Sequence, residues 1–214
     1  CLLSFVYVQT VLTTSTFLVK QKILSSNNSR KVIHVAAGSW LMWWPFFDDS
    51  HWTWVLNIGV PAVFTLKLSA VGLFAGPDHP DVIAMSRSGR PRDLLFGPLF
   101  FTVVMCFTGT ALFRDPRAAF IMGALGWGDG LAPVVGMAYG RHKYCLFGPS
   151  KSFEGSLTMF VASLCGICLF QYALPASTLT GLSLLTCAAV ATAVEAASPP
   201  EMDNLLIPIA MFLA

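Results

Sequence analysis

Gly126-Trp127-Gly128-Asp129-Gly130-Leu131-Ala132-Pro133 sits inside an apolar run that extends from about residue 118 to residue 139. The run has the roughly 20 residues that a helix needs to cross a hydrocarbon core. Glycines, a proline and a carboxylate interrupt it. An acid at that depth is costly unless it has a partner, so Asp129 marks a functional position. Irregular backbone is tolerated there where it lines a buried or wet cavity. The same residues also suit a plainer role, with Gly126-x-x-x-Gly130 as a helix-packing face and Asp129 paired to a nearby Lys or Arg.

Similar apolar runs lie on both sides, at about 2–19, 32–47, 52–75, 94–113, 155–173, 178–194 and from 205 onward. Of the 214 residues, 55% are hydrophobic and only 11% are charged, where a soluble domain carries about 25% charged residues. Mean hydropathy is +0.68, and strand-like alternation is absent. The pattern predicts an all-α, polytopic transmembrane bundle of seven to eight spans with one broken helix. Residues 1–214 read as a single integral-membrane domain. Because Cys1 and Ala214 both fall inside apolar runs, the domain is expected to be truncated at both ends.

The loops alternate in character. Those at 20–31, 76–93, 140–154 and 195–204 are longer and polar, and those at 48–51, 114–117 and 174–177 are short. Of the 13 Lys and Arg residues, only Arg114 and Arg117 fall in the short set, and only Lys67 lies within a span. The positive-inside rule puts the four longer loops on one, cytoplasmic-equivalent, face. Separate pieces of chain therefore converge where every polar motif sits.

The loop from Gly140 to Gly155 offers three cations, Arg141, Lys143 and Lys151. Gly140, Gly148 and Gly155 permit close backbone approach, and Ser152 and the following helix start supply donors to a phosphate. The loop lacks the Gly-x-x-x-x-Gly-Lys-Ser/Thr pattern of a P-loop. A basic loop touching anionic lipid heads would use the same cations. Gly128 and Gly130, flanking Asp129, belong with this nucleotide-binding group. Arg30 and Lys31 precede His34, which is placed to orient a hydroxyl or a phosphate; the plain reading is orientation charge beside a satisfied histidine. Glu195, Glu201 and Asp203 form the one strongly acidic inner loop, which suits a divalent ion carried with a nucleotide or a solvated turn. Gly97-Pro98 kinks the start of a span, and with Phe100 it makes a groove for a hydrocarbon tail or a simple bend. Cys165-x-x-Cys168 has metal or redox spacing but no second pair, and reads as packing.

Several of these stretches together resemble the polyprenol kinase family, which includes phytol, farnesol and dolichol kinases. They are Arg30-Lys31-Val32-Ile33-His34, Leu95-Phe96-Gly97-Pro98-Leu99-Phe100, Gly128-Asp129-Gly130-Leu131-Ala132, Gly140-Arg141-x-Lys143, Lys151-Ser152-Phe153-Glu154-Gly155, Val194-Glu195 and Asp203-Asn204-x-x-x-x-Pro208. Their order and spacing are closest to the phytol/farnesol branch.

The resemblance implies a multi-span enzyme that phosphorylates an isoprenoid alcohol with CTP and Mg2+ or another divalent cation. It implies that Arg141, Lys143, Lys151 and Ser152 hold the triphosphate. Asp129 with Glu195 or Asp203 would hold the metal, and His34 or a carboxylate would orient the hydroxyl. Asp129, Lys151 and His34 are the catalytic set. Expected partners are the bilayer, the prenyl alcohol and the nucleoside triphosphate, without nucleic acid. A plastid membrane follows from the phytol-like branch, with endoplasmic reticulum as the alternative. Pro133 and Met202 stand where similar proteins carry acids, so the metal site is one ligand poorer unless Glu195 and Glu201 compensate. The rival readings are a CTP-using lipid cytidylyltransferase, a diacylglycerol kinase and, outside enzymes, a secondary transporter.

Overall fold

The computed structural model describes residues 2–147, 150–174, 180–199 and 202–213. Gly148 and Glu201 lie outside the described residues. The protein is an all-helical membrane bundle. Its helices are α1 (Leu2–Lys20), α2 (Ser26–Gly38), α3 (Gly59–Phe74), α4 (Pro80–Met85), α5 (Gly97–Ala111), α6 (Pro116–Met122), α7 (Asp129–Tyr139), α8 (Phe153–Gln171), α9 (Gly181–Ala197) and α10 (Asp203–Leu213). Among the described residues, strand is confined to a small antiparallel hairpin, β1 (Lys143–Tyr144) with β2 (Lys151–Ser152).

Among the described residues, five helical stretches are long and apolar enough to cross a membrane: Leu2–Lys20, Trp52–Phe74, Pro91–Ala111, Pro116–Tyr139 and Phe153–Gln171. The expected runs at 32–47, 178–194 and 205 onward fold as shorter helical pieces. The first of them is α2 running into a 3₁₀ turn at Ser39–Phe46, where Pro45 prevents regular helix from continuing.

The expected broken helix takes a different form. Residues 116–139 stay helical throughout, and the stretch Gly123–Gly128 is wound as a π-helix between α6 and α7. Short π-helical insertions in α-helices recur at functional sites. Close packing holds this one in place. A Cβ on Gly126 would come within 2.8 Å of the Gly38 Cα, so only glycine at both positions lets α2 lie directly on the π-helical turn. The packing-face reading of Gly126 is thus realised, with Gly38 of α2 as the partner.

The Pro116–Tyr139 rod is 72% buried over its most apolar stretch, against 17–39% for the other four long helices. It is the axis of the bundle, and α2, α8 and α10 pack on it. Trp40, Trp44, Leu125, Met159, Ile167, Phe170 and Ile207 fill the core between them. Beside it, α3 and α5 lie antiparallel. Leu95 meets Gly72, Thr65 Oγ1 donates to Thr102 Oγ1 at 3.0 Å, and Asn57 Nδ2 donates to the Gly109 carbonyl at 2.9 Å. A second apolar cluster, including Leu12, Ile33, Phe64, Leu68 and Leu94, joins α1, α2 and α3.

Candidate active site

Two cavities of unlike chemistry meet at one place. The first, about 130 Å³, is an apolar groove between α1, α2, α3 and α5, with Leu12, Ile33, Val60, Phe64, Phe101 and Met105 among its walls. Along α5 it runs from Gly97 to Met105, eight residues or about 12 Å of helix. The antiparallel register puts Leu68 at the Gly97 end and Val60 and Pro61 at the Met105 end. The second, about 470 Å³, is polar and lies among α2, α7, the hairpin, the start of α8 and the end of α9. Five cations line it (Arg30, Lys31, Arg87, Lys143 and Lys151), against three acids (Asp129, Glu195 and Asp203). Arg30, Lys31, Arg87, Asp129 and Asp203 line both cavities and form their junction.

Asp129 opens α7 directly after the π-helical turn and is 2% exposed. Lys31 Nζ lies 3.1 Å from its Oδ2 and also donates to its backbone carbonyl at 2.9 Å. His34 Nε2 sits 3.3 Å from the same Oδ2 and 2.8 Å from the Leu125 carbonyl. A carbonyl only accepts, so this nitrogen carries the proton. A buried carboxylate without such partners would carry a large desolvation cost. Lys31, one of the two cations before His34, thus neutralises the intramembrane acid, the Lys or Arg pairing that the plainer reading of Asp129 expected.

On the opposite wall, Lys151 Nζ donates to the Glu195 backbone carbonyl and to its Oε1. β2 and the helix start fix the lysine, because Ser152 caps α8 by accepting the Gly155 N–H at 3.1 Å. The Ser152 O–H proton remains available to donate. Since Ser152, Gly155 and Ser156 all line the polar cavity, the positive end of the α8 dipole adds to the cations there. Lys143 Nζ reaches the Gly136 carbonyl at 3.1 Å. Asp203 begins α10. Burial first, and the neighbouring Asp129 charge second, push its carboxyl up to about 7.

The carboxylate of the Gly-Asp-Gly element and the lysine of the Ser-Lys-Ser turn therefore face one cavity. Lys143, Ser152, Glu195 and Asp203 join them, and Gly97, Pro98 and His34 line the groove. Gly130 packs on Val35 and Gly128 on Ser163 and Met159, so both glycines serve helix contact. Arg141 is exposed and lines neither cavity, and the aromatic ring that α5 presents to the groove is Phe101, one residue beyond the expected Phe100. Two of the three acids are already paired, Asp129 with Lys31 and Glu195 with Lys151. Among the described residues no group of three or more His, Cys, Asp or Glu side chains is gathered as a metal cluster. Arg30, Lys31 and Arg87 are the junction residues whose place the sequence did not disclose.

The rice protein named Probable phytol kinase 2, chloroplastic, is 31% identical over 206 residues, covering 92% of this chain and 67% of that protein. The chain belongs to the phytol/polyprenol kinase family. Phytol kinase 1, chloroplastic, of Arabidopsis thaliana is 29% identical over 210 residues, covering 92% of this chain and 68% of its own length. The Phytol kinase of the cyanobacterium Synechocystis is 28% identical over 213 residues, covering 97% and 86%. The chain thus spans about two thirds of the rice and Arabidopsis relatives and about half of a maize one. No protein-family model matches it, and no solved structure does.

Proposed function

We propose that this chain transfers the terminal phosphoryl group of a nucleoside triphosphate, CTP, to the hydroxyl of an isoprenoid alcohol such as phytol at the membrane face. The observation that carries the reading is the junction itself. An apolar groove suited to a hydrocarbon tail opens onto a cation-rich polar cavity, and a buried Lys-Asp pair stands where they meet.

The alcohol enters sideways from the bilayer, with its tail between α3 and α5 and its hydroxyl at the junction. Lys143, Lys151 and the α8 N-terminus hold the inner phosphates, while Arg30, Lys31 and Arg87 hold the transferring group. Positioning two substrates is most of the catalytic task in phosphoryl transfer. The hydroxyl oxygen forms its bond to phosphorus as the bond to the bridging oxygen breaks. The nucleoside diphosphate leaves, and the hydroxyl proton passes to Asp203.

Asp129, with Glu195 across the polar cavity, would hold a divalent cation, which leaves Asp203 to take the proton. Mg2+ bound there would neutralise the phosphate charge that develops during transfer. The names of the rice and Arabidopsis relatives favour a plastid membrane, crossed several times by the long helices.

A radiolabel assay on membranes, crossing CTP and ATP with phytol, farnesol, dolichol and diacylglycerol, tests the reading. Label from the terminal phosphate is expected on phytol or farnesol with CTP. Label from the cytidine on the lipid would make the protein a cytidylyltransferase. Solute flux without nucleotide consumption would make it a transporter.

A further inference from the structure

Asn204 stands beside the junction and has no role in the scheme above. The residue is 7% exposed, and its Oδ1 has no hydrogen-bond partner. Its Nδ2 donates to Asp203 Oδ1 at 3.3 Å. Asp203 Oδ1 also accepts the Asn204 backbone N–H at 2.9 Å, so it is an acceptor, and the flipped amide would set two oxygens against each other. Asn204 lines the apolar groove but not the polar cavity, while its neighbour Asp203 lines both. Gly97, at the same end of the groove, lies against Asn204 Nδ2.

A buried acceptor without a donor is costly, and a hydrocarbon wall cannot relieve it. Oδ1 has essentially no surface open to the groove, so the donor that relieves it must come from an occupant toward which the amide turns slightly. We infer that Asn204 Oδ1 accepts the hydroxyl hydrogen of the alcohol and is the group by which the groove selects a free primary alcohol over equally greasy molecules of the same length. The inference rests on the kinase reading for its substrate. With the O–H directed at Asn204, the oxygen lone pairs stay free to face the polar cavity. Asp203, hydrogen-bonded to the same amide, is the adjacent acceptor when the proton leaves.

The test is a binding comparison, so it does not depend on turnover. Purified full chain in detergent is titrated with a radiolabelled saturated prenyl alcohol, which is then displaced by the unlabelled alcohol or by its 1-fluoro analogue. Fluorine matches the hydroxyl in size but brings no proton. The wild type is expected to prefer the alcohol by about 10-fold, the worth of one buried hydrogen bond. Asn204→Leu, of similar volume, should bind both within about 3-fold of each other. Asn204→Asp, which keeps an acceptor and serves if the leucine variant does not fold, should retain the preference. Equal binding of the two ligands by the wild type overturns the inference. So does a folded leucine variant that still prefers the alcohol, or an aspartate variant that has lost the preference. Failure of the kinase reading looks different, as no transfer to any alcohol in the membrane assay while the binding preference stands.

Discussion

The short-loop end and the cavity hold their ion pairs in opposite ways. Near the short loops, Arg114 pairs with Asp49 at 3.1 Å and Arg117 with Asp115 at 2.8 Å, with these side chains 26–57% exposed. At the cavity end, Lys31–Asp129 and Lys151–Glu195 are no more than 16% exposed, and they join residues 98 and 44 positions apart. Exposed pairs contribute little to stability, and buried ones often no more than an apolar pair of the same volume. The cavity-end pairs are therefore not there to hold the fold. They keep charge at a depth where the bilayer would otherwise exclude it.

Asp129 offers the hardest test of that contrast. Asp129→Ala strands the Lys31 ammonium in the core, at about 3–5 kcal/mol in thermal unfolding. Phosphoryl transfer should fall by at least about 10³-fold. In the double variant Lys31→Met with Asp129→Leu, most of the lost stability should return while activity stays absent. Recovery of activity along with stability would reduce the pair to a packing device.

Lys151 comes next. Lys151→Met removes the cation that bridges the α8 start and the end of α9, and should cost about 10²-fold in kcat/KM, chiefly through a raised nucleotide KM. The contrast between the two ends breaks if Lys151→Met and Arg114→Ala have similar effects, since Arg114 at the far end should change turnover by less than about twofold.

A smaller effect is expected along the groove. Met105, Val60 and Pro61 lie at the end away from the junction. Met105→Ala should shift the ratio of kcat/KM for a longer over a shorter prenyl alcohol by roughly 3- to 10-fold, the scale on which an apolar pocket distinguishes chain lengths. An unchanged ratio would place the tail elsewhere.

The helical rods were legible because an apolar run of spanning length has few other solutions. Asp129 stood out for the same reason, as a charge where charge is costly. What escaped was settled by tertiary contact. Lys31 and Arg87 read like any loop cation, since no pattern in Arg30-Lys31 or Arg87-Ser88 tells which side chain turns inward. Phe100 and Phe101 are adjacent, and which one faces the groove depends on the helix phase that the Gly97-Pro98 start imposes. Arg141 shares a loop with Lys143 and Lys151, but the hairpin register of Lys143 with Ser152 and Tyr144 with Lys151 leaves it outside. The short α4, in a turn-rich loop, has too few residues for an apolar period to show.

The gentlest test of the contrast lies in Asp115. It caps α6 by accepting the Arg117 N–H at 2.8 Å, and its hydrogen bond from the Arg117 guanidinium is the leading reason its carboxyl sits below the ordinary range. A depressed carboxyl contributes stability above its unfolded pKa, and that share is lost as pH falls through the folded value. Asp115→Ala should therefore cost about 1 kcal/mol at neutral pH, the usual worth of a cap. In acid unfolding the gap between the variant and the wild type should begin to close below about pH 4 and vanish below the lower folded value. Transfer activity at neutral pH should stay within about twofold of wild type, because the cap begins the axial rod some thirteen residues, or about 20 Å of helix, before Asp129. A large activity loss from Asp115→Ala with the fold intact would mean that the far end sets the position of the π-helical turn, and the two ends would have to be treated as one device.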